Sequence, residues 1–274
     1  MNRKSLIDKI NKKGSYLCIG LDTDFEKIPK HLQPNKNAVV DFNKAIIDAT
    51  KAFCVSYKIN TAFYEALGSK GWDAMEETVN YIPNSHLKIA DAKRGDIGNT
   101  SAQYAKAFFE TLKFDAITVA PYMGEDSIRP FLEYEDKWTI VLGLTSNKGA
   151  NDFEMLKLLS ETEEHLRPEF LYEHVLKTVC KWGNSNNCMF VTGATQAMEL
   201  VNIRSIIPGH FLLVPGVGFQ GGSLSEVSKY GMNKDCGLLV NVSRAVIYAG
   251  SGENFATEAG EIAKQYQTEM KSYL

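Results

Sequence analysis

The sequence predicts an α/β fold, a single (β/α)8 TIM barrel, and three observations carry that expectation. Short apolar runs rich in Val, Ile and Leu alternate with longer segments of helical spacing. The eight runs show no polar–apolar alternation, which suits strands buried on both faces of a parallel sheet. Eight such βα units within 274 residues match the size of a closed barrel. An open doubly wound sheet shares this local pattern, because periodicity does not report closure.

Taken in order, the chain opens on MNRKSLIDKINKKG, which is amphipathic and lacks the roughly 7–15-residue apolar core of a signal peptide. The first strand is SYLCIGLD (15–22). HLQPNKN reads as a loop ahead of a helix from Ala38 to Ala52, and CVSYKIN (54–60) is the second strand. HLKIADA (86–92) and DAITVAP (115–121) follow, with a helix from Ser101 to Leu112 between them. WTIVLGLT (138–145) is the fifth strand. An insertion at 146–166, Ser146 to Leu166, then extends the loop on the side where barrel loops build sites. A lid and a tolerated surface excursion both fit it. NCMFVTGA (187–194), FLLVPGV (211–217) and GLLVNVS (237–243) complete the set, and a helix from Asn254 to Tyr273 closes the chain.

Composition narrows the function. A net charge of -3 leaves no electrostatic footprint for nucleic acid or an anionic membrane surface, and no apolar run approaches the ~20 residues of a membrane span. Cys18, Cys54, Cys180, Cys188 and Cys236 form an odd set without a CxxC pair, which suits free thiols in a reducing cytoplasm. The five histidines show no HxH or HExxH spacing, so no metal site is expected.

The strand ends carry the chemistry. Asp22 closes the first strand, Lys58 and Asn60 the second, Asp91 and Lys93 the third, Thr145 and Ser146 the fifth. Because strand side chains alternate, Lys58 and Asn60 share a face, and so do Asp91 and Lys93. One such group would be a solvated strand end; several at one rim point to a site. After the last two strands come PGVGFQGG (215–222) and NVSRA (241–245), where barrels of this kind hold phosphate on backbone N–H groups. Arg244 would add a charge-assisted contact. PGVGFQGG also matches GxGxxG, but only one strand follows it, so no dinucleotide half-domain is completed.

Read together, YKINTAFYE, DAKRGDIGNT, LTSN, PGVGFQGG and the arginine after the eighth strand resemble the orotidine 5′-phosphate decarboxylase family, in its variant with an extended loop after strand five. The resemblance runs in order from Asp22 to Arg244. DxKxxD is shared with other phosphosugar barrels; IGNT, KIN and GxGxQGG make the match specific. It implies conversion of orotidine 5′-phosphate to uridine 5′-phosphate by a cofactor-free, metal-free homodimer. It implies a charged network of Lys58, Asp91, Lys93 and Asp96, with Asp96, Ile97 and Thr100 reaching into the partner subunit's site. Asp22 and Lys58 would hold ribose hydroxyls, with Asn60 nearby, and Thr145 and Ser146 would contact the pyrimidine. Gln220, the backbone of Gly221 and Ser243, and Arg244 would grip phosphate. Ser243 stands where the family often has glycine, and its N–H stays available.

Physical reasoning agrees. Decarboxylation leaves negative charge on C6 of the pyrimidine, so the protein must supply electrostatic stabilisation there. Lys93, flanked by Asp91 and Asp96, is the expected ammonium that stabilises this anion and then protonates it. Asp91 beside the substrate carboxylate would disfavour the ground state. Two other readings use the same residues: a metal-dependent sugar-phosphate decarboxylase or aldolase, and a non-catalytic nucleotide-binding barrel. Lys58 would put a cation among the ligands of the first, and the second has no need of an ammonium between carboxylates.

Overall fold

Each of the eight apolar runs forms a parallel strand: β1 Leu17–Gly20, β2 Ser56–Asn60, β3 Leu87–Arg94, β4 Ala116–Val119, β5 Trp138–Leu144, β6 Cys188–Thr192, β7 Phe211–Pro215 and β8 Leu238–Val242. The computed structural model describes residues 1–158, 169–218 and 221–274, and of Gln196 only the backbone. The strands run β1–β8–β7–β6–β5–β4–β3–β2, and β8 closes on β1 with Val240 opposite Leu17. Closure decides between the barrel and the open sheet.

The helices are α1 Arg3–Lys13, α2 Ala38–Thr50, α3 Thr61–Glu65, α4 Ser69–Tyr81, α5 Gly98–Lys106, α6 Glu125–Leu132, α7 Leu171–Val179, α8 Glu199–Ile206, α9 Leu224–Gly231, α10 Arg244–Ile247 and α11 Phe255–Lys271. Helix α1 forms because Asn2 caps it through the Ser5 N–H at 3.0 Å, and Leu6 and Ile10, one turn apart, are buried. Its Arg3 reaches the Ser185 carbonyl at 2.7 Å and Asp235 at 3.0 Å. These contacts floor the N-terminal end of the barrel. Ile89, Ile140, Met189, Leu213 and Leu239 fill the interior. Outside, Phe42 of α2 stacks on Phe255 of α11 at 5.2 Å.

Two boundaries differ from expectation. The helix expected from Ser101 begins at Gly98, and its last turn, Ala107–Thr111, widens to π geometry. That widening lets the consecutive Phe108 and Phe109 both face the core, at 1% and 3% exposure. The excursion after β5 also runs past Leu166. A 3-10 turn, Lys148–Asp152, leads to Lys157–Leu158, which pairs antiparallel with Glu169–Phe170 just before α7. Its residues 159–168 lie outside the described residues.

Candidate active site

The loop after β1 places Asp22 two residues beyond the strand, not within it. Polar bonds hold that loop: Tyr64 Oη donates to the Leu21 carbonyl at 3.0 Å, and Tyr248 Oη to the Asp22 carbonyl at 3.2 Å. Thr23 Oγ1 donates to Asn43 Oδ1 at 2.6 Å, and Asn43 donates in turn to Tyr64 and Thr78. Asn43 is wholly buried on α2 and fully satisfied, so it fixes the loop. Sequence reading passed over it as one more helical residue.

Lys58 lies on the inner face of β2, level with Ile89. Its Nζ is 3.1 Å from Asp22 Oδ1 and 3.1 Å from Asp91 Oδ2, with only 4% of the side chain exposed. Burial opposes the ammonium, but the two carboxylates outweigh it and raise the Lys58 pKa above the ordinary lysine value. Burial likewise opposes the Asp91 carboxylate, yet Lys58 and Lys93 hold its pKa well below the usual range. Lys93 Nζ sits 2.5 Å from Asp91 Oδ1 and leaves about half its own side chain exposed.

Lys93 meets Asp91 as expected, but not by simple alternation. The register of β3 on β4 shifts between Ala90, opposite Ile117, and Arg94, opposite Val119. Lys93 adopts a left-handed backbone, φ +47°. The ammonium therefore returns to Asp91 through a bulge. Thr118, which sequence reading did not single out, lies at this point: its Oγ1 donates to Asp91 Oδ1 at 3.0 Å and accepts the Lys93 N–H at 2.9 Å.

Asp22, Lys58, Asn60, Asp91, Ser243 and Arg244 line one cavity of about 180 Å³ at the C-terminal end of the barrel, with Asn241 and Pro215 beside them. Asn60 also caps α3 through the Ala62 N–H at 3.3 Å. Asn241, another residue missed from sequence, is 6% exposed, and its Oδ1 has no hydrogen-bond partner among the described residues. Ser243 Oγ donates to the Gly20 carbonyl at 3.0 Å, fastening the start of α10 to β1.

Of the remaining expected residues, none that the structure describes lines this cavity. Asp96 accepts the N–H of Ile97 at 2.8 Å and makes no ion pair with Lys93 within the chain. Ile97 is 57% exposed, and Thr100 is exposed in the first turn of α5. Thr145 donates its N–H to Glu154 Oε2 at 2.6 Å, and its hydroxyl lies 2.8 Å from Glu154 Oε1, so the insertion braces the end of β5. Ser146 follows, with Gly193 so close that a Cβ there would lie 2.6 Å from the Ser146 nitrogen. Of the residues expected to grip phosphate, Gln220 lies outside the described residues. The Gly221 N–H donates to the Gly218 carbonyl at 2.9 Å, and both glycines hold a positive φ. That N–H is engaged in this conformation.

The match to known proteins spans the same residues. The model of the orotidine 5′-phosphate decarboxylase / HUMPS family matches residues 15–259. The chain is 56% identical over 277 aligned positions to the orotidine 5′-phosphate decarboxylase of Phocaeicola vulgatus, covering 100% of this chain and 99% of that one. It is 55% identical to that of Bacteroides fragilis, with 100% and 98% covered. Among solved structures, Leishmania donovani OMP decarboxylase superposes with a TM-score of 0.79 at 34% identity, over 98% of this chain and 99% of that chain. Fold, strand-end chemistry and near-complete alignment agree: the chain belongs to the orotidine 5′-phosphate decarboxylase family.

Proposed function

We propose that this chain decarboxylates orotidine 5′-phosphate to uridine 5′-phosphate by charge alone, with Lys93 as the proton donor. The carrying observation is the pairing of one largely buried carboxylate, Asp91, with two ammonium groups, Lys58 at 3.1 Å and Lys93 at 2.5 Å. The C6–carboxylate bond breaks, CO2 leaves, and the electron pair stays on C6. The Lys93 ammonium stabilises that charge and transfers a proton from Nζ to C6. Its half-exposed side chain can then recover a proton from solvent.

Asp22, Lys58 and Asn60 bind the ribose, and Thr145 and Ser146 the pyrimidine edge. Arg244, with Gln220 and the backbone of Gly221 and Ser243, grips the phosphate. The Gly221 N–H would have to leave the Gly218 carbonyl to take part. A metal-dependent phosphosugar reaction fits less well, because Lys58 occupies the space between the two carboxylates that would ligate an ion.

The working unit is a homodimer in which Asp96, Ile97 and Thr100 complete the partner's site. In support, these residues do not line their own cavity, and Ile97, Tyr122 and Met123, in the loops that follow β3 and β4, are exposed at 57%, 86% and 46%. Exposed apolar groups at one end favour a protein contact. No helix among the described residues is long and apolar enough to cross a membrane, and five free thiols support a cytoplasmic setting.

Subunit mixing tests the reading. Homodimers of Lys93→Ala and of Asp96→Ala should each be nearly inactive. Random re-association makes about half the dimers mixed, and each mixed dimer has one intact site, so roughly a quarter of all sites should recover. Exchange without recovered activity would mean that Asp96 serves its own subunit.

A further inference from the structure

We propose that Thr118 is a positioning residue for the reaction: its hydroxyl clamps the Asp91 carboxylate and the Lys93 backbone together, so that the Lys93 ammonium is aimed at the reacting carbon. The proposal rests on Lys93 as proton donor.

The reason lies in the break between β3 and β4. Three residues, Asp91, Ala92 and Lys93, stand where the single residue Thr118 faces them. A bulge of this size leaves ladder groups unpaired and makes the strand free to bend. Lys93 bends furthest, into a left-handed conformation that a lysine does not favour. Something must hold it there, and the Lys93 N–H goes to Thr118 Oγ1 at 2.9 Å.

The direction of both bonds follows from chemistry. A backbone N–H can only donate, so Thr118 accepts from Lys93. The lone hydroxyl proton is then committed to Asp91 Oδ1, 3.0 Å away. That oxygen also receives the Lys93 ammonium at 2.5 Å. Thr118 thus touches the pair at both ends, the carboxylate on one side and the main chain that carries the ammonium on the other. When Nζ gives up its proton, Asp91 Oδ1 loses a charge-assisted partner. The Thr118 bond remains, and the carboxylate keeps its orientation for the next turnover.

Filling space alone would need no hydroxyl. Thr118 is fully buried on the inner face of β4, where a valine of the same shape would fill the space equally well. Only the oxygen distinguishes the two.

The test compares Thr118→Val, Thr118→Ala and Thr118→Ser with wild type and Lys93→Ala, reading kcat, KM and the melting temperature. Thr118→Val should lower kcat roughly 10- to 100-fold, the size of effect a displacement of about 1 Å at a catalytic group can produce. KM should change less than about threefold, because ribose and phosphate contacts are untouched. Thr118→Ser, which keeps the hydroxyl and loses a methyl, should recover most of the kcat that Thr118→Ala, which loses both, gives up. That contrast stands even if the valine variant fails to fold. Wild-type kcat in Thr118→Val or Thr118→Ala, or equal losses in Ser and Ala that follow melting temperature, would overturn the proposal while leaving Lys93 in its role. An active Lys93→Ala would instead remove the proton-donor reading on which it stands.

Discussion

Replacing Lys58 by methionine removes the ammonium that separates two carboxylates while keeping most of the side-chain volume. Lys58 is 4% exposed, Asp22 18% and Asp91 13%, so solvent screens this site little. Removing one partner of a buried pair costs about 3–5 kcal/mol. Asp91 keeps Lys93 at 2.5 Å and Thr118 at 3.0 Å, which places the loss near the lower end. For a chain of this size about 3 kcal/mol corresponds to a fall in melting temperature of roughly 6–12 °C.

The pH dependence carries a sign. In the wild type the Asp91 pKa is depressed. Its stabilisation is present above the unfolded value, about 3.9, and is lost only as pH falls through the folded one. The Lys58 pKa is raised, so its contribution is complete below about 10.4. At pH 8 both are intact. In the variant two carboxylates face each other, and protonating one relieves the repulsion. The gap in melting temperature should therefore narrow from pH 8 to pH 4.5 in paired calorimetric scans. A variant as stable as wild type at pH 8, or a gap that widens on acidification, would refute the reasoning.

Other expectations follow from the same geometry. Arg244→Ala should cost on the order of several kcal/mol in kcat/KM, because a charge-assisted phosphate contact is lost; a substrate lacking phosphate should barely respond, and equal losses on both would contradict the assignment. Activity should survive exhaustive chelation, since Lys58 fills the space an ion would need, and a loss restored by magnesium would favour the phosphosugar reading. Burial and the nearby Lys13 lower the His86 pKa to about 4, and burial with Arg3 and Arg204 lowers that of His210 to about 4. Their neutral forms therefore favour the fold above about pH 6.5, and stability should fall between about pH 6.5 and 4 by up to roughly 1.4 kcal/mol per pH unit per histidine. Urea midpoints should show His86→Gln with a flatter acid limb than wild type; parallel limbs would count against it.

Much of this protein was legible in the chain itself. Runs such as FLLVPGV and WTIVLGLT are apolar on both faces, as strands of a parallel sheet covered on both sides are. The residue types at the strand ends, with their spacing and order, pointed to a charged site and a phosphate loop. Such signals are local, because neighbouring positions set which side of a strand a residue occupies. The partners across strands are not local. Closure depends on Val240 meeting Leu17, and the Asp22 loop on Asn43 of a distant helix. Thr118 stands 27 positions from Asp91 and acts on it only because β3 bulges against β4. The left-handed turn at Lys93 breaks the alternation that sequence reasoning relied on, although the two side chains still meet. Glu154 braces Thr145 across a loop, and Gly193 is small because the Ser146 backbone passes against it. Alternation reports a side chain's face; register, bulges and close packing decide what it touches there.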